Sequence, residues 1–229
     1  MPNILPLFRF ARLALLALCA LFALPASLGA PALAQAPHTH EHRFQNAEQW
    51  ARYFDDPARD QWQMPHQVIR HLELAPDSKV ADIGAGTGYF AVRLAHMTPK
   101  GTVYAVDVEP DMVKYLGERA AREKLANLQA VQASPGDARL PEKVDRVLLV
   151  DVYHHIADRE RYFGKLKSSL APHAQVAIID FRMDSPVGPP RSARVAEAEV
   201  VGEMERAGYA LVKRYNFLPH QFYLVFASK

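Results

Sequence analysis

From Lys79 onward, short runs of consecutive apolar residues alternate with longer stretches whose apolar positions recur every three to four residues. The first pattern suits strands buried on both faces, and the second suits helices that cover those faces. Val144-Asp145-Arg146-Val147-Leu148-Leu149-Val150 is the clearest buried run. The pattern predicts strands at 79–84, 102–107, 127–132, 144–151 and 174–181. Between them it predicts helices at about 88–97, 110–124 and 158–170. Pro110 at a helix start and Gly101 after a helix end follow the usual capping asymmetry. Ala133 to Lys143 reads as loop with room for one helical turn.

The two ends of this alternation break the pattern. Upstream, Asn46 can cap a helix carrying Trp50, Tyr53 and Phe54, which Asp55-Asp56-Pro57 ends. Trp62-Gln63-Met64-Pro65 leads into a second helix, Pro65 to Leu74, with Val68, Ile69 and Leu72 on its apolar face. These helices precede the first strand, so residues 46–75 are expected to form a helical cap over the mouth of the domain at 76–229. Tyr53, Phe54 and Trp62 then either face a ligand or bury against the domain. Downstream, Ser185 to Arg194 is a Pro/Gly/Arg loop, a helix follows through Val195, Val200, Val201 and Met204, and Gly208 stops it. Ala210–Phe217 and Gln221–Ala227 read as strands joined by only Leu218-Pro219-His220. So short a connection makes them antiparallel, because parallel neighbours need a crossover. An α/β fold is expected: a mostly parallel seven-stranded sheet, helices on both faces, and a closing antiparallel hairpin.

Composition changes this picture mainly at the N-terminus. Residues 1–34 contain no acid, and Arg9 and Arg12 precede an apolar run from Leu13 to Leu24. Pro25, Ser27 and Gly29 break that run, and Ala32-Leu33-Ala34 fits a small-x-small cleavage site. We therefore expect residues 1–34 to be a signal peptide and the mature protein to be periplasmic or secreted, with no stable membrane span after cleavage. The alternative is an uncleaved N-terminal anchor. Residues 35–45 would be a flexible tail. Its Pro-His-Thr-His-Glu-His stretch has no second ligand cluster nearby, so no metal site is expected. The formal charge of +2 resides in Arg9 and Arg12. Without them basic and acidic residues balance, which argues against a general electrostatic hold on nucleic acid. Cys19 is the single cysteine, so the mature chain has no disulfide, thiolate ligand or cysteine nucleophile.

The candidate chemistry centres on Val80-Ala81-Asp82-Ile83-Gly84-Ala85-Gly86-Thr87-Gly88, an apolar strand running into a glycine turn. Such turns at the carboxyl end of a strand bring bare backbone against a ligand. Asp107 ends the next strand about 20 residues on, where a carboxylate can accept from both hydroxyls of a ribose. The pair indicates a nucleoside-containing ligand. A dinucleotide oxidoreductase would need G-x-G-x-x-G. Here the third glycine comes one residue early, and Asp82 stands where that fingerprint is apolar.

Over about residues 64–229 the chain resembles class I S-adenosyl-L-methionine-dependent methyltransferases, a Rossmann-like family. Asp82-Ile83-Gly84-Ala85-Gly86-Thr87-Gly88 is similar to the family's D-x-G-x-G-x-G motif. The resemblance implies that Gly84, Ala85, Gly86 and Gly88 approach the amino-acid portion of S-adenosylmethionine while Asp82 holds its ammonium. It implies Asp107 and the following Val108 at the ribose, and Met112 beside the adenine. Gly136-Asp137-Ala138 resembles the adenine-edge motif, with Asp137 accepting from the exocyclic amine. Asp151-Val152-Tyr153-His154-His155 resembles the segment after strand four that lines the transferred methyl, which implies Asp151 among the residues that bind the cofactor. Leu170-Ala171-Pro172-His173-Ala174 is similar to L-x-P-G-G with both glycines replaced. Small bacterial proteins of this type also carry Gln-Trp-Gln before the domain, as at Gln61-Trp62-Gln63. Arsenite methylation, which relies on cysteines, is disfavoured.

Methyl transfer requires alignment of the nucleophile and exclusion of water, plus a base when the nucleophile carries a proton. His154 or His155 could be that base, and Tyr153 could bond the substrate or stabilise the sulfonium. Arg182 and Arg191 stand near the end of strand five for an acidic substrate group. The expected activity is methyl transfer to a small-molecule acceptor. The alternatives are a non-catalytic nucleoside-binding protein and an enzyme acting on envelope protein or lipid.

Overall fold

The computed structural model describes residues 46–229. The expected signal peptide and tail lie outside the described residues. Seven strands form one sheet: β1 (Lys79–Ile83), β2 (Thr102–Asp107), β3 (Leu128–Gln132), β4 (Val144–Val150), β5 (Leu170–Phe181), β6 (Tyr209–Tyr215) and β7 (Gln221–Ser228). Their order is β3-β2-β1-β4-β5-β7-β6, all parallel except β7, which runs against both neighbours. The expected architecture is therefore present.

Among the described residues seven α-helices accompany the sheet. They are α1 (Ala47–Phe54), α2 (Asp60–Gln63), α3 (Pro65–Arg70), α4 (Tyr89–Met97), α5 (Pro110–Arg122), α6 (Arg159–Leu166) and α7 (Glu197–Arg206). The strands divide their side chains between two cores, as a pleat of period two requires. Ala81, Ile83, Val147, Leu149, Val176 and Ile178 face α6 and α7 through Tyr162, Phe163, Val200 and Met204. Val80, Val103, Leu148, Ala177 and Ile179 face α3, α4 and α5 through Val68, Ile69, Leu94 and Leu116. This double coverage is why the strands read as unbroken apolar runs.

Several expectations shift, and the helix expected over Pro65 to Leu74 ends at Arg70. The helix expected over 158–170 ends at Leu166, a 3₁₀ turn covers Lys167–Ser169, and β5 already starts at Leu170. Its early part is irregular: β4–β5 pairing jumps from Val144↔Leu170 to Arg146↔Gln175. His173 takes up the slack with φ +65°, so a non-glycine adopts the left-handed backbone where the resembling pattern has glycine. The 133–143 loop contains a tight Ser134–Asp137 turn rather than a helical one.

α1 and α2 are held to the domain by specific contacts. Asn46 caps α1 through Gln49 N at 3.4 Å, and its own N–H reaches Asp111 on α5. Arg119 of α5 pairs with Asp55 at 2.9 Å and donates to the Thr87 carbonyl. These contacts fix α1 against α5 and bring its end near the turn that follows β1. No described helix is long and apolar enough to cross a membrane.

Candidate active site

The glycine turn after β1 is shaped by backbone geometry. Gly84, Gly86 and Gly88 have φ of +73°, +55° and +96°. At Gly84 a Cβ would run into both methyls of Val152, just past β4, so close approach as well as φ demands glycine. The Gly84 and Ala85 N–H groups donate to the Val106 carbonyl at 2.8 and 3.0 Å, which folds the turn against β2. A Cβ on Gly86 would lie 3.4 Å from the Phe54 ring, so α1 packs directly on this loop.

Two carboxylates flank the turn. Asp107 accepts from Gly86 N at 2.9 Å through one oxygen and from Glu109 N at 3.0 Å through the other. Each oxygen keeps an acceptor position for a ribose hydroxyl. Burial raises its pKa, and the backbone donors oppose the rise. Asp82 is buried, and its Oδ2 has no hydrogen-bond partner. Burial pushes its pKa up to about 7; Arg59 opposes the rise and Asp107 adds to it. An unpaired buried carboxylate oxygen is costly unless something positive meets it. The ammonium of a methionine moiety has the required charge and donors, so the residues present fit S-adenosylmethionine.

The remaining cofactor positions divide. Val108 is 48% exposed beside Asp107, whereas Met112 is 1% exposed on α5. Ala138 is buried. Asp137 is already engaged: Lys165 lies 2.8 Å away and Arg139 N donates to it at 2.9 Å. The Lys165 hydrogen bond, foremost, holds its pKa below the usual range.

On the other side of β1, the end of β4 builds a second constellation. Asp151 has φ +60°, and its N–H donates to the Ile179 carbonyl. Gln221, the first residue of β7, donates to Asp151 through its amide nitrogen and accepts from Gln63 Nε2 at 2.6 Å. Arg59 reaches within 3.7 Å of Asp151. Burial raises the Asp151 pKa, and Arg59 opposes that rise.

His154 sits on a 3₁₀ turn and places Nδ1 2.9 Å from both oxygens of Asp180 at the end of β5. Asp180 is 2% exposed and also accepts from His154 N and Phe181 N. Burial pushes the His154 pKa down, but bonding and charge from Asp180, with Asp151 nearby, overcome it and the net shift is upward. Nδ1–H donation to Asp180 leaves Nε2 as the proton-accepting nitrogen of the neutral ring. The ring of His155 lies 4.1 Å from that of His154.

Tyr153 corrects the sequence expectation. Its ring is fully buried, stacked on Phe163, and its hydroxyl donates to Glu203 on α7 at 2.7 Å. Burial and that bond push the phenol pKa upward. On a 3₁₀ turn, consecutive side chains diverge, so Tyr153 anchors the turn in the core and has no face for substrate. Arg182 is likewise committed, donating to the carbonyls of Leu218 and Gln221 at 3.0 and 3.3 Å and also to that of Pro219. Arg191 donates to the Met183 carbonyl.

Sequence reasoning missed Asp180, Gln221, Gln63 and Arg59. Gln63 had appeared only as part of Gln61-Trp62-Gln63, and Asp180 had a signal in the acid standing next to last in β5, much as acids close β2 and follow β4 at Asp151. Among the described residues no cluster suits a metal ion.

A family described as "Methyltransferase domain" matches residues 74–211. The chain belongs to that family, whose fold and cofactor, S-adenosylmethionine, it shares. A crystal structure of a SAM-dependent methyltransferase from Aquifex aeolicus is 27% identical, with a TM-score of 0.74 over 79% of this chain and 97% of that one. Trans-aconitate 2-methyltransferase of Rhodopseudomonas palustris is 29% identical over 58% of this chain and 48% of its own. Malonyl-[acyl-carrier protein] O-methyltransferase of Acetivibrio thermocellus is 26% identical over 57% and 46%. The chain thus spans less than half the length of these two curated relatives.

Proposed function

We propose that this protein transfers the methyl group of S-adenosylmethionine to a small-molecule acceptor, with His154 as the base. When bound, the cofactor supplies an electrophilic methyl on a sulfonium. Asp82 and the glycine turn hold its amino-acid end, and Asp107 holds the ribose. The proton released by an acceptor oxygen, nitrogen or carbon acid that took this methyl, the sulfonium leaving as a neutral thioether, would pass to Nε2 of His154. Asp180 keeps Nδ1 protonated and stabilises the imidazolium that forms. The cap excludes water by packing Phe54 on the turn and closing Gln63 onto Gln221.

The observation that carries this reading is the His154–Asp180 pair at 2.9 Å, set one strand away from an unpaired buried Asp82. An oriented histidine just past the strand beside that of Asp82 supports catalysis over binding of the nucleoside alone. The test is transfer of labelled methyl from S-adenosylmethionine into a cell extract, with Asp107→Ala as control. Label is expected in a low-mass fraction with wild type and absent with the variant. Label in macromolecules would redirect the reading to protein or lipid, and equal labelling by Asp107→Ala would remove Asp107 from the site. The carboxylate acceptors named in two relatives make organic acids the first compounds to assay.

We also propose that the protein works outside the cytoplasm after cleavage at Ala34. The basis is the acid-free, Arg-led apolar N-terminus. Fractionation with N-terminal sequencing should find a mature chain starting at Gln35, and an intact Met1 in the cytosol would refute export.

A further inference from the structure

Two fully buried glutamines join the cap to the active edge: Gln63 at the end of α2 and Gln221 at the start of β7. An amide side chain takes its orientation from its partners. Arg59 can only donate, and its Nε donates to Gln63 Oε1 at 3.2 Å. Gln63 Nε2 then points the other way and donates to Gln221 Oε1 at 2.6 Å. That leaves Gln221 Nε2 to donate to Asp151 Oδ1. The relay runs one way, from a cation through two amides to a carboxylate, and each bond polarises the next. A donor aimed at a carboxylate favours its ionised form.

The surroundings of Asp151 are mixed. Burial favours the neutral acid, and Asp180 of β5 acts in the same sense. Arg59, 3.7 Å away, His154 and the Gln221 amide favour the charge. For His154, burial disfavours the protonated ring, Asp180 and Asp151 favour it, and Arg159 at the start of α6 opposes them. The His155 ring lies alongside at 4.1 Å. The charge state of Asp151 therefore sets part of the proton affinity of His154.

We propose that Gln63 and Gln221 are positioning residues for methyl transfer: their one-way relay keeps Asp151 anionic beside His154, so that the docked cap strengthens the base. This rests on the reading of His154 as the base. The sheet supplies Asp180 by itself, whereas Asp151 reaches full charge only with α2 in place. Proton removal is thereby tied to enclosure of the acceptor.

Titration of the His154 ring by NMR on the full chain, between about pH 5 and 9, reads the relay without turnover. His154→Gln identifies the signal. Gln63→Met breaks the relay at a residue one bond removed from Asp151, and should lower the His154 midpoint by about half a unit or more. Gln221→Met should give a similar fall, and the double variant no more than either, because links of one relay do not add. Gln63→Glu keeps the shape and reverses the relay. A carboxylate there accepts from both Arg59 and Gln221, so the Gln221 amide turns its oxygen to Asp151, which must then hold a proton. The midpoint should fall by about one unit, whereas the field of the added negative charge alone would raise it. The kcat/KM midpoint should move with the ring midpoint in each variant. A rise with Gln63→Glu, or an unmoved midpoint with Gln63→Met, would overturn the relay. A wild-type kcat/KM limb away from the ring midpoint would instead overturn the base reading on which it rests.

Discussion

The two halves of the carboxyl edge are built in different ways. The cofactor half, from Asp82 to Asp107, is assembled within one strand–turn–helix–strand unit, and its key bond joins Gly86 to Asp107 across 21 residues. The half proposed for the acceptor draws Gln63, Asp151, His154, Asp180 and Gln221 from four separate segments. Its Gln63–Gln221 bond spans 158 residues. Because β7 runs antiparallel, its first residue reaches the active edge, and Gln221 stands opposite Phe181 in register. The cofactor half thus depends on backbone shape that local sequence dictates. The acceptor half depends on side-chain polarity that only the finished sheet brings together.

That contrast can be broken most severely at Gly84. Gly84→Ala would force a side chain into a left-handed backbone against Val152, costing about 2–5 kcal/mol of stability. Thermal unfolding should show a large drop in Tm, and a change of under about 1 kcal/mol would mean that the turn's backbone is less constrained than its geometry indicates.

Next in size is Asp180→Asn, which removes charge from the acceptor half while keeping its shape. We expect kcat/KM to fall about 100-fold with cofactor affinity unchanged. His154 must be neutral to accept a proton, and its pKa is raised, so wild-type kcat/KM should rise with pH through a midpoint above 6.5. In the variant that midpoint should move down, because an amide does not hold the imidazolium. An unmoved midpoint would assign the limb to another group.

A smaller effect distinguishes the cofactor half by pH. Asp82 is protonated below about 7 in the free protein, whereas the cofactor's ammonium selects its ionised form. Affinity for S-adenosylhomocysteine should therefore strengthen as pH rises towards 7, by up to about tenfold per unit, and level off above it. A flat profile between pH 5 and 8 at roughly constant affinity would detach Asp82 from the ammonium.

The mildest change is Tyr153→Phe. It deletes the hydroxyl bonded to Glu203 and should cost about 1 kcal/mol in denaturant unfolding with kcat unaffected. A large loss of kcat at unchanged stability would return Tyr153 to the reacting centre.

Tyr153 and Asp180 mark the limit of what the sequence carries. Three consecutive polar residues after β4 all read as candidates, because a motif lists neighbours without stating which way each points. On the 3₁₀ turn Tyr153 goes into the core and His154 goes to Asp180. Asp180 lies 26 residues from its partner in a strand that reads as buried core. The cap showed its helices through Asn46 and Pro65, but not that Phe54 lands on Gly86 or Arg59 beside Asp151.

By itself the sequence determined the strand–helix alternation, the reversed final hairpin and the glycine turn with the acid that ends β2. Each follows from short-range physics: pleat and helix periods, turn length, and backbone that tolerates only glycine. The tertiary structure alone decided that His154 meets Asp180, that the Tyr153 hydroxyl turns to Glu203, and that Arg59 comes beside Asp151. Those are matters of direction and distance between segments far apart in the chain, and packing of the sheet against its helices sets them.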